Sequence, residues 1–221
     1  MCGRFLLNYD IEEIFRKYNI RSQEIIKYTK GDFYQGDFYP SSHIPIILES
    51  EEKILKLAKW GFPLIGKKGT VINARAESIK HRPMFKNSFY SARCLIPVNM
   101  FYEWKDEGNK RKTKYKIGLQ ENSLFSLGGI YKVSIDENSN EQMTVVIITT
   151  ESEGDMKDIH SRMPLIVKDN EIDLWLNGSS SIKYVEEILR SNTNYKFVIE
   201  KCETEKAKGT DNEKYEQLKL F

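Results

Sequence analysis

Apolar residues recur at helical spacing in DIEEIFRKY, residues 10 to 18, where Ile11, Ile14, Phe15 and Tyr18 share one face. Asp10 and Glu13 stand three apart at its start, the spacing of a capping box, so an amphipathic helix is predicted close to the N-terminus. HIPIILE and ILKLAKW are short β-prone runs, TKYKIGL alternates Tyr115, Ile117 and Leu119 with polar or small residues, and MTVVIIT reads as a buried strand. Strands therefore dominate the middle of the chain. EIDLWL and IKYVEEILR are predicted helices, the second with Ile182, Val185 and Leu189 in register, and YKFVIE alternates again as a late strand. Helices and strands are interspersed without a regular βαβ rhythm, which makes the expected class α+β.

No linker, low-complexity stretch or long repeat divides the 221 residues, so one domain is expected over residues 1–205, with a polar tail at 206–221. That tail is expected to be solvated, with Leu218, Leu220 and Phe221 free to dock back. Composition adds exclusions. At 30% charged residues, with no run of about 18 apolar positions, the chain reads as soluble and not as a membrane span. Phe5, Leu6 and Leu7 give way at once to Asn8, Tyr9 and Asp10, so there is no signal-peptide segment and a cytoplasmic location is expected. Three cysteines at irregular spacing argue for reduced thiols, and His43, His81 and His160 are isolated from any CxxC or HExxH pattern. Neither a metal nor another cofactor is expected. The net charge of +2 does not announce a nucleic-acid binder, so such a partner would be held by local patches such as KHRPMFK and NKRKTKYK. The second of these also reads as a hairpin tip charged only for solubility.

The chain opens MCGR, so removal of one residue makes Cys2 the N-terminus. An N-terminal cysteine carries an amine of reference pKa about 7.7 to 8.0 beside a thiol near 8.5, and both are expected to be partly deprotonated near neutrality. Without such a setting a cysteine is a small buried hydrophobe. VINARAES sets Asn73, Arg75 and Glu77 at alternate positions, one side of an extended strand; the plain alternative is an exposed face with an Arg and Glu pair. Glu103 lies among aromatics in FYEW, where desolvation raises a carboxyl pKa into the range of a general acid or base; the alternative is an edge-strand glutamate reaching solvent. In DIHSRMP, His160 and Arg162 are two apart and face the same way if extended, whereas a lone histidine is commonly structural.

Six segments in order, MCGRF, WGFP, NARAES, PMF, CLIPVNMFYEWK and IHSRMPLIV, give the chain a resemblance to the SRAP family, the SOS-response-associated peptidases that crosslink to abasic sites in DNA. The resemblance runs from Met1 to about Val167. It implies a compact fold around a strongly curved, barrel-like antiparallel sheet flanked by helices. It also implies that Cys2, freed of Met1, is the nucleophile, that Asn73 orients the cysteine backbone and the sugar, that Glu103 is acid and base, and that His160 assists Schiff-base chemistry. Arg4 and Arg75 would hold phosphates, and Arg162 would be a further DNA contact. The implied partner is single-stranded DNA containing abasic sites, bound by a monomer without metal or membrane, in a thiazolidine crosslink with self-processing and lyase-like activity as further possibilities. Family members often carry a tryptophan-containing wedge loop between the WG and NAR segments, where this chain has FPLIGKKGT. Two other readings stand beside this one: a peptidase or amidase using Cys2 as N-terminal nucleophile, and a noncovalent single-strand binder.

Overall fold

The computed structural model describes residues 2–21, 35–64, 66–121, 123–135, 140–190 and 195–202. Residues 206–221, and with them Leu218, Leu220 and Phe221, lie outside the described residues. Strand β1 (Phe5–Leu7) leads to helix α1 (Ile11–Tyr18), followed by β2 (Gly36–Phe38), β3 (His43–Glu49), β4 (Lys53–Trp60), β5 (Phe62–Pro63), β6 (Thr70–Val71) and β7 (Asn73–Arg75). Helix α2 (Pro83–Ser91) precedes β8 (Arg93–Val98), β9 (Met100–Asp106), β10 (Lys112–Leu119), β11 (Phe125–Ile135) and β12 (Glu141–Glu151). The chain continues through β13 (Arg162–Pro164), β14 (Ile166–Val167), α3 (Ile172–Leu176), α4 (Ile182–Arg190) and β15 (Phe197–Lys201).

Strands β12, β4, β3, β8 and β11 pair in that order, and β11 pairs again with β12, so the ring closes on itself. The curved, barrel-like sheet expected of this α+β chain is therefore present. One feature departs from a purely antiparallel sheet: β12 pairs in parallel with β4, Val145 opposite Trp60, and further along with β7, Ile147 opposite Asn73. The chain leaves the edge of β12 at Gly61, makes the small β5–β6 hairpin and returns to the same edge at Asn73. Two bonds fasten the base of that excursion: Gly61 N–H donates to the Val145 carbonyl at 2.8 Å and the Trp60 indole to the Ile72 carbonyl at 3.0 Å. Gly61 has φ +129°, and a Cβ there would lie 2.9 Å from Cβ of Thr70, so the exit needs glycine.

A second sheet, β15-β10-β9-β1-β2, lies against the ring. Phe5 joins the two layers, its ring stacked on Phe38 at 5.0 Å and against Trp60 at 5.4 Å. Strand β8 and residues Thr144–Thr149 of β12 are buried along their whole length, as expected for strands covered on both faces. Helix α1 has the expected capping box, with Asp10 N–H donating to Glu13 Oε2 at 3.2 Å. In α4 the buried pair is Val185 and Ile188; Ile182 is exposed and Leu189 half-buried, so the core-facing stripe is narrower than the periodicity predicts. Buried Arg93 ties the helices to the ring by donating to the carbonyls of Phe89 (2.9 Å), Trp175 (2.7 Å) and Asn177 (2.7 Å), at the C-terminal ends of α2 and α3. Those carbonyls have no intrahelical donor and carry the negative end of the helix dipole, which is why a cation belongs there.

Candidate functional site

Strand β1 lies antiparallel to β9 with Phe5 opposite Phe101, and the ladder extends one step further through the Tyr102 N–H donating to the Arg4 carbonyl at 3.0 Å. Continuing that register carries the N-terminal residues toward Glu103. Cys2 is fully buried, and its carbonyl accepts a 2.9 Å hydrogen bond from Nδ2 of Asn73. Asn73 is held in turn by the parallel pairing of β7 with β12. Its Oδ1 is buried with no hydrogen-bond partner among the described residues. Glu103 is 1% exposed, so it is not an edge glutamate reaching water. Burial raises its pKa, against the opposing pull of the cationic N-terminus and of His160.

Burial, with the charge of Glu103 added, pushes the Cys2 thiol far above its ordinary range. Burial and the charge of Glu103 both disfavour the thiolate, and so oppose the partial ionisation expected from reference values. His160 is half-buried, and its Nδ1 lies 2.9 Å from the Arg162 backbone nitrogen and 3.2 Å from the Arg162 carbonyl oxygen, so the backbone of Arg162 holds the ring. Cys2, Asn73, Glu103 and His160, drawn from positions far apart in the chain, are thus linked by one hydrogen bond and by mutual electrostatic influence.

The arginines are disposed differently. Strand β7 ends at Arg75, which is exposed, and Glu77 sits in the following turn, so the expected polar row is broken there. Glu77 takes Arg162 instead: Nη1 and Nη2 of Arg162 donate to its two carboxylate oxygens at 2.6 and 3.0 Å, and Nη2 also donates to the Thr149 carbonyl at 2.6 Å. The guanidinium of Arg162 is therefore engaged within the protein, joining the turn after β7 to β12 and β13. Arg4 donates from Nη2 to Oδ2 of Asp37 at 2.5 Å, and its guanidinium lies 4.9 Å from the ring of Tyr39 and 4.7 Å from that of Tyr102. Lys114 sits 4.5 Å from the Tyr102 ring, giving an interleaved set of aromatics and cations.

Asp37, Tyr39 and Tyr102 are missing from the candidates read from sequence, although GDFY occurs twice in tandem, at 31–34 and 36–39, and the second copy supplies two of them. The basic stretch KHRPMFK is partly spent, since Lys80 pairs with Glu186 at 2.9 Å. NKRKTKYK lies at the β9–β10 hairpin, as expected of a charged tip. Among the described residues no group of His, Cys, Asp and Glu is arranged to hold a metal, and no helix is long and apolar enough to cross a membrane.

A model of the SOS response associated peptidase (SRAP) family matches residues 1–206. Abasic site processing protein YoqW of Bacillus subtilis (strain 168) is 35% identical over 191 residues, covering 82% of each chain. Abasic site processing protein YoaM of the same organism is 35% identical over 200 residues, covering 86% of this chain and 85% of its own. Abasic site processing protein YedK of Escherichia coli (strain K12) is 25% identical over 193 residues, covering 86% of both. A solved structure of a protein from Bacteroides thetaiotaomicron matches with a TM-score of 0.80 at 25% identity, covering 92% of this chain and 93% of its own.

Proposed function

The chain belongs to the SOS response associated peptidase (SRAP) family, and from that premise we propose that it processes abasic sites in single-stranded DNA by forming a thiazolidine crosslink through Cys2. The observation that carries this reading is the docking of Cys2 onto Asn73 beside a buried carboxyl of raised pKa. Met1 must leave first, because an amide nitrogen is not a nucleophile. An abasic deoxyribose is a closed hemiacetal in equilibrium with an open aldehyde. Glu103 opens it by taking the proton of the anomeric hydroxyl while a proton is returned to the ring oxygen. A carboxyl whose pKa is raised by burial is more readily protonated, and so can return a proton as well as take one.

Burial of the Cys2 thiol, which disfavours the thiolate, supports an order in which the amine reacts first. The neutral Cys2 amine attacks the aldehyde carbon first, and loss of water gives an imine. The thiol sulfur then adds to the imine carbon. The S–H bond breaks, the C=N π pair moves to nitrogen, and the proton ends there, closing a five-membered ring that is favoured because both nucleophiles sit on adjacent carbons. His160 is assigned to the carbinolamine step, where in its protonated form it gives a proton to the hydroxyl that leaves as water. Asn73 holds the Cys2 carbonyl with Nδ2 and keeps Oδ1 for a sugar hydroxyl. Arg75 is exposed for a phosphate. Arg162, a DNA contact by resemblance, acts in this reading through Glu77 and Thr149, which keep it beside His160.

The test is intact-mass analysis of the purified chain with a single-stranded oligonucleotide bearing one abasic site. The expected product has the mass of protein without Met1 plus oligonucleotide less one water. A mixture retaining only the two separate masses would overturn the covalent reading and leave the noncovalent binder.

A further inference from the structure

The pairing of Arg4 with Asp37 is incomplete. One contact joins them, Nη2 to Oδ2, while Nε of Arg4 and Oδ1 of Asp37 are each buried with no hydrogen-bond partner among the described residues. A side-on fork would satisfy both atoms, and such two-bond pairs are the strong geometry for arginine and carboxylate. Leaving a buried donor and a buried acceptor bare is unfavourable. The guanidinium is nevertheless held firmly, because Tyr39 and Tyr102 flank it and its strand is tied to β9. Asp37 is itself on β2, paired to β1 with Leu6 opposite Asp37.

Two consequences follow from charge. Burial raises the Asp37 carboxyl, but the hydrogen bond and charge of Arg4, with the Tyr102 hydroxyl and the charge of Lys114, outweigh it and hold the group below its usual range, so Asp37 is ionised at neutral pH. Arg4 and Asp37 together thus carry no net charge. An arginine whose charge is cancelled at 2.5 Å attracts a distant phosphate weakly, although its remaining N–H groups can still donate to one that is brought close.

On the reading that this face receives DNA, we propose that Asp37 is a specificity-determining counter-ion for Arg4, fixing the direction of the guanidinium while suppressing its attraction for undamaged single strands. The anion it competes with is a backbone phosphodiester. Asp37 would keep nonspecific affinity low, leaving selection to the chemistry at Cys2. Replacement by asparagine retains the size and one acceptor for Arg4 but removes the negative charge.

The experiment measures binding of an undamaged single-stranded oligonucleotide by fluorescence anisotropy across a salt series, for wild type, Asp37→Asn, Arg4→Gln and the double variant. Asp37→Asn is expected to bind roughly 1.4- to fivefold tighter at low salt. Its salt slope should steepen by about 0.7, one phosphate's worth of counterion release from a single strand. In the Arg4→Gln background the gain should be largely lost, leaving only what Lys114, whose charge also acts on Asp37, contributes. An unchanged or weaker affinity and an unchanged slope in folded Asp37→Asn would overturn the proposal, as would an equal gain without Arg4. Should Asp37→Asn fail to fold, Asp37→Ser and Asp37→Glu replace it, the first expected to show the gain and the second to lack it. Wild type is scored in parallel for crosslinking to the abasic oligonucleotide. Failure of that crosslink counts against the proposed function, whereas crosslinking with a flat Asp37 series counts only against the counter-ion.

Discussion

Asn73 offers the most direct test of how the nucleophile is held. The bond from Nδ2 to the Cys2 carbonyl is 2.9 Å long, and Asn73 is only 9% exposed. A hydrogen bond of this neutral kind contributes about 0.5–1.5 kcal/mol net, but a buried acceptor left bare costs about 1–3 kcal/mol. The second figure governs here, because alanine supplies no donor and the site is closed to bulk water. Asn73→Ala is therefore expected to slow adduct formation roughly 5- to 150-fold, the rate equivalent of about 1–3 kcal/mol. Asn73→Asp separates the two ends of the amide. Aspartate keeps an acceptor where Oδ1 stands but cannot donate to Cys2 when ionised, and it adds a charge near Glu103. It should be at least as impaired as alanine.

The assay is single-turnover appearance of the crosslinked band with protein in excess, accompanied by melting of each variant. A domain of this size loses about 2–4 °C in Tm per kcal/mol, so folding can be checked independently of rate. Wild-type rate in a folded Asn73→Ala variant would refute the reasoning. An Asn73→Asp variant faster than alanine would show that the acceptor, and not the donor, is what matters.

Cys2→Ser keeps the α-amine but replaces the thiol with a poorer nucleophile, so its product with abasic DNA should persist only after borohydride trapping; a durable adduct without reductant would remove the thiol from the bond. Glu103→Gln should slow adduct formation by about 10²- to 10⁴-fold in the same gel assay, and a variant within a few-fold of wild type would exclude proton transfer by this carboxyl. Since burial raises the folded-state pKa of Glu103, the stability it contributes is full below its unfolded value and is lost as pH rises through the folded one. Glu103→Gln should therefore gain in Tm relative to wild type as pH rises above the ordinary glutamate range, and a narrowing difference would contradict the sign. Gly129→Ala would bring a Cβ within 2.6 Å of Cδ1 of Ile96 and 3.1 Å of the Val146 carbonyl oxygen, and backbone cannot yield as a side-chain end can. The expected loss is about 1–3 kcal/mol, roughly 2–12 °C by calorimetry, and an unchanged Tm would mean that the ring relaxes there.

Periodicity reached the elements because each is set locally. The spacing of Asp10 and Glu13 closes within one turn of helix, and the apolar run of MTVVIIT needs only to be covered on both faces to become β12. Closure of the ring is different in kind. It depends on β4 and β7 sharing one edge of β12, a pairing between residues some seventy positions or more apart. The residues that permit it, Gly61 at the exit and Trp60 stapled to Ile72, look like an ordinary WG dipeptide until the two parallel pairings are seen together.

The same division runs through the site. Thiol, amide, carboxyl and imidazole are groups whose chemistry belongs to the side chain, so Cys2, Asn73, Glu103 and His160 can be named as candidates from their motifs. What a charged residue does is decided by its nearest opposite charge, and that is a property of the fold. Arg4, Arg75 and Arg162 are alike as letters near motifs, yet one is capped by Asp37 from β2, one is exposed, and one is forked onto Glu77. Neither counter-ion pairing can be read from spacing, since Asp37 is 33 positions from Arg4 and Glu77 is 85 from Arg162. Burial acts in the same way on the thiol. Reference values leave the Cys2 thiol partly ionised, whereas its burial and the charge of Glu103 disfavour the thiolate.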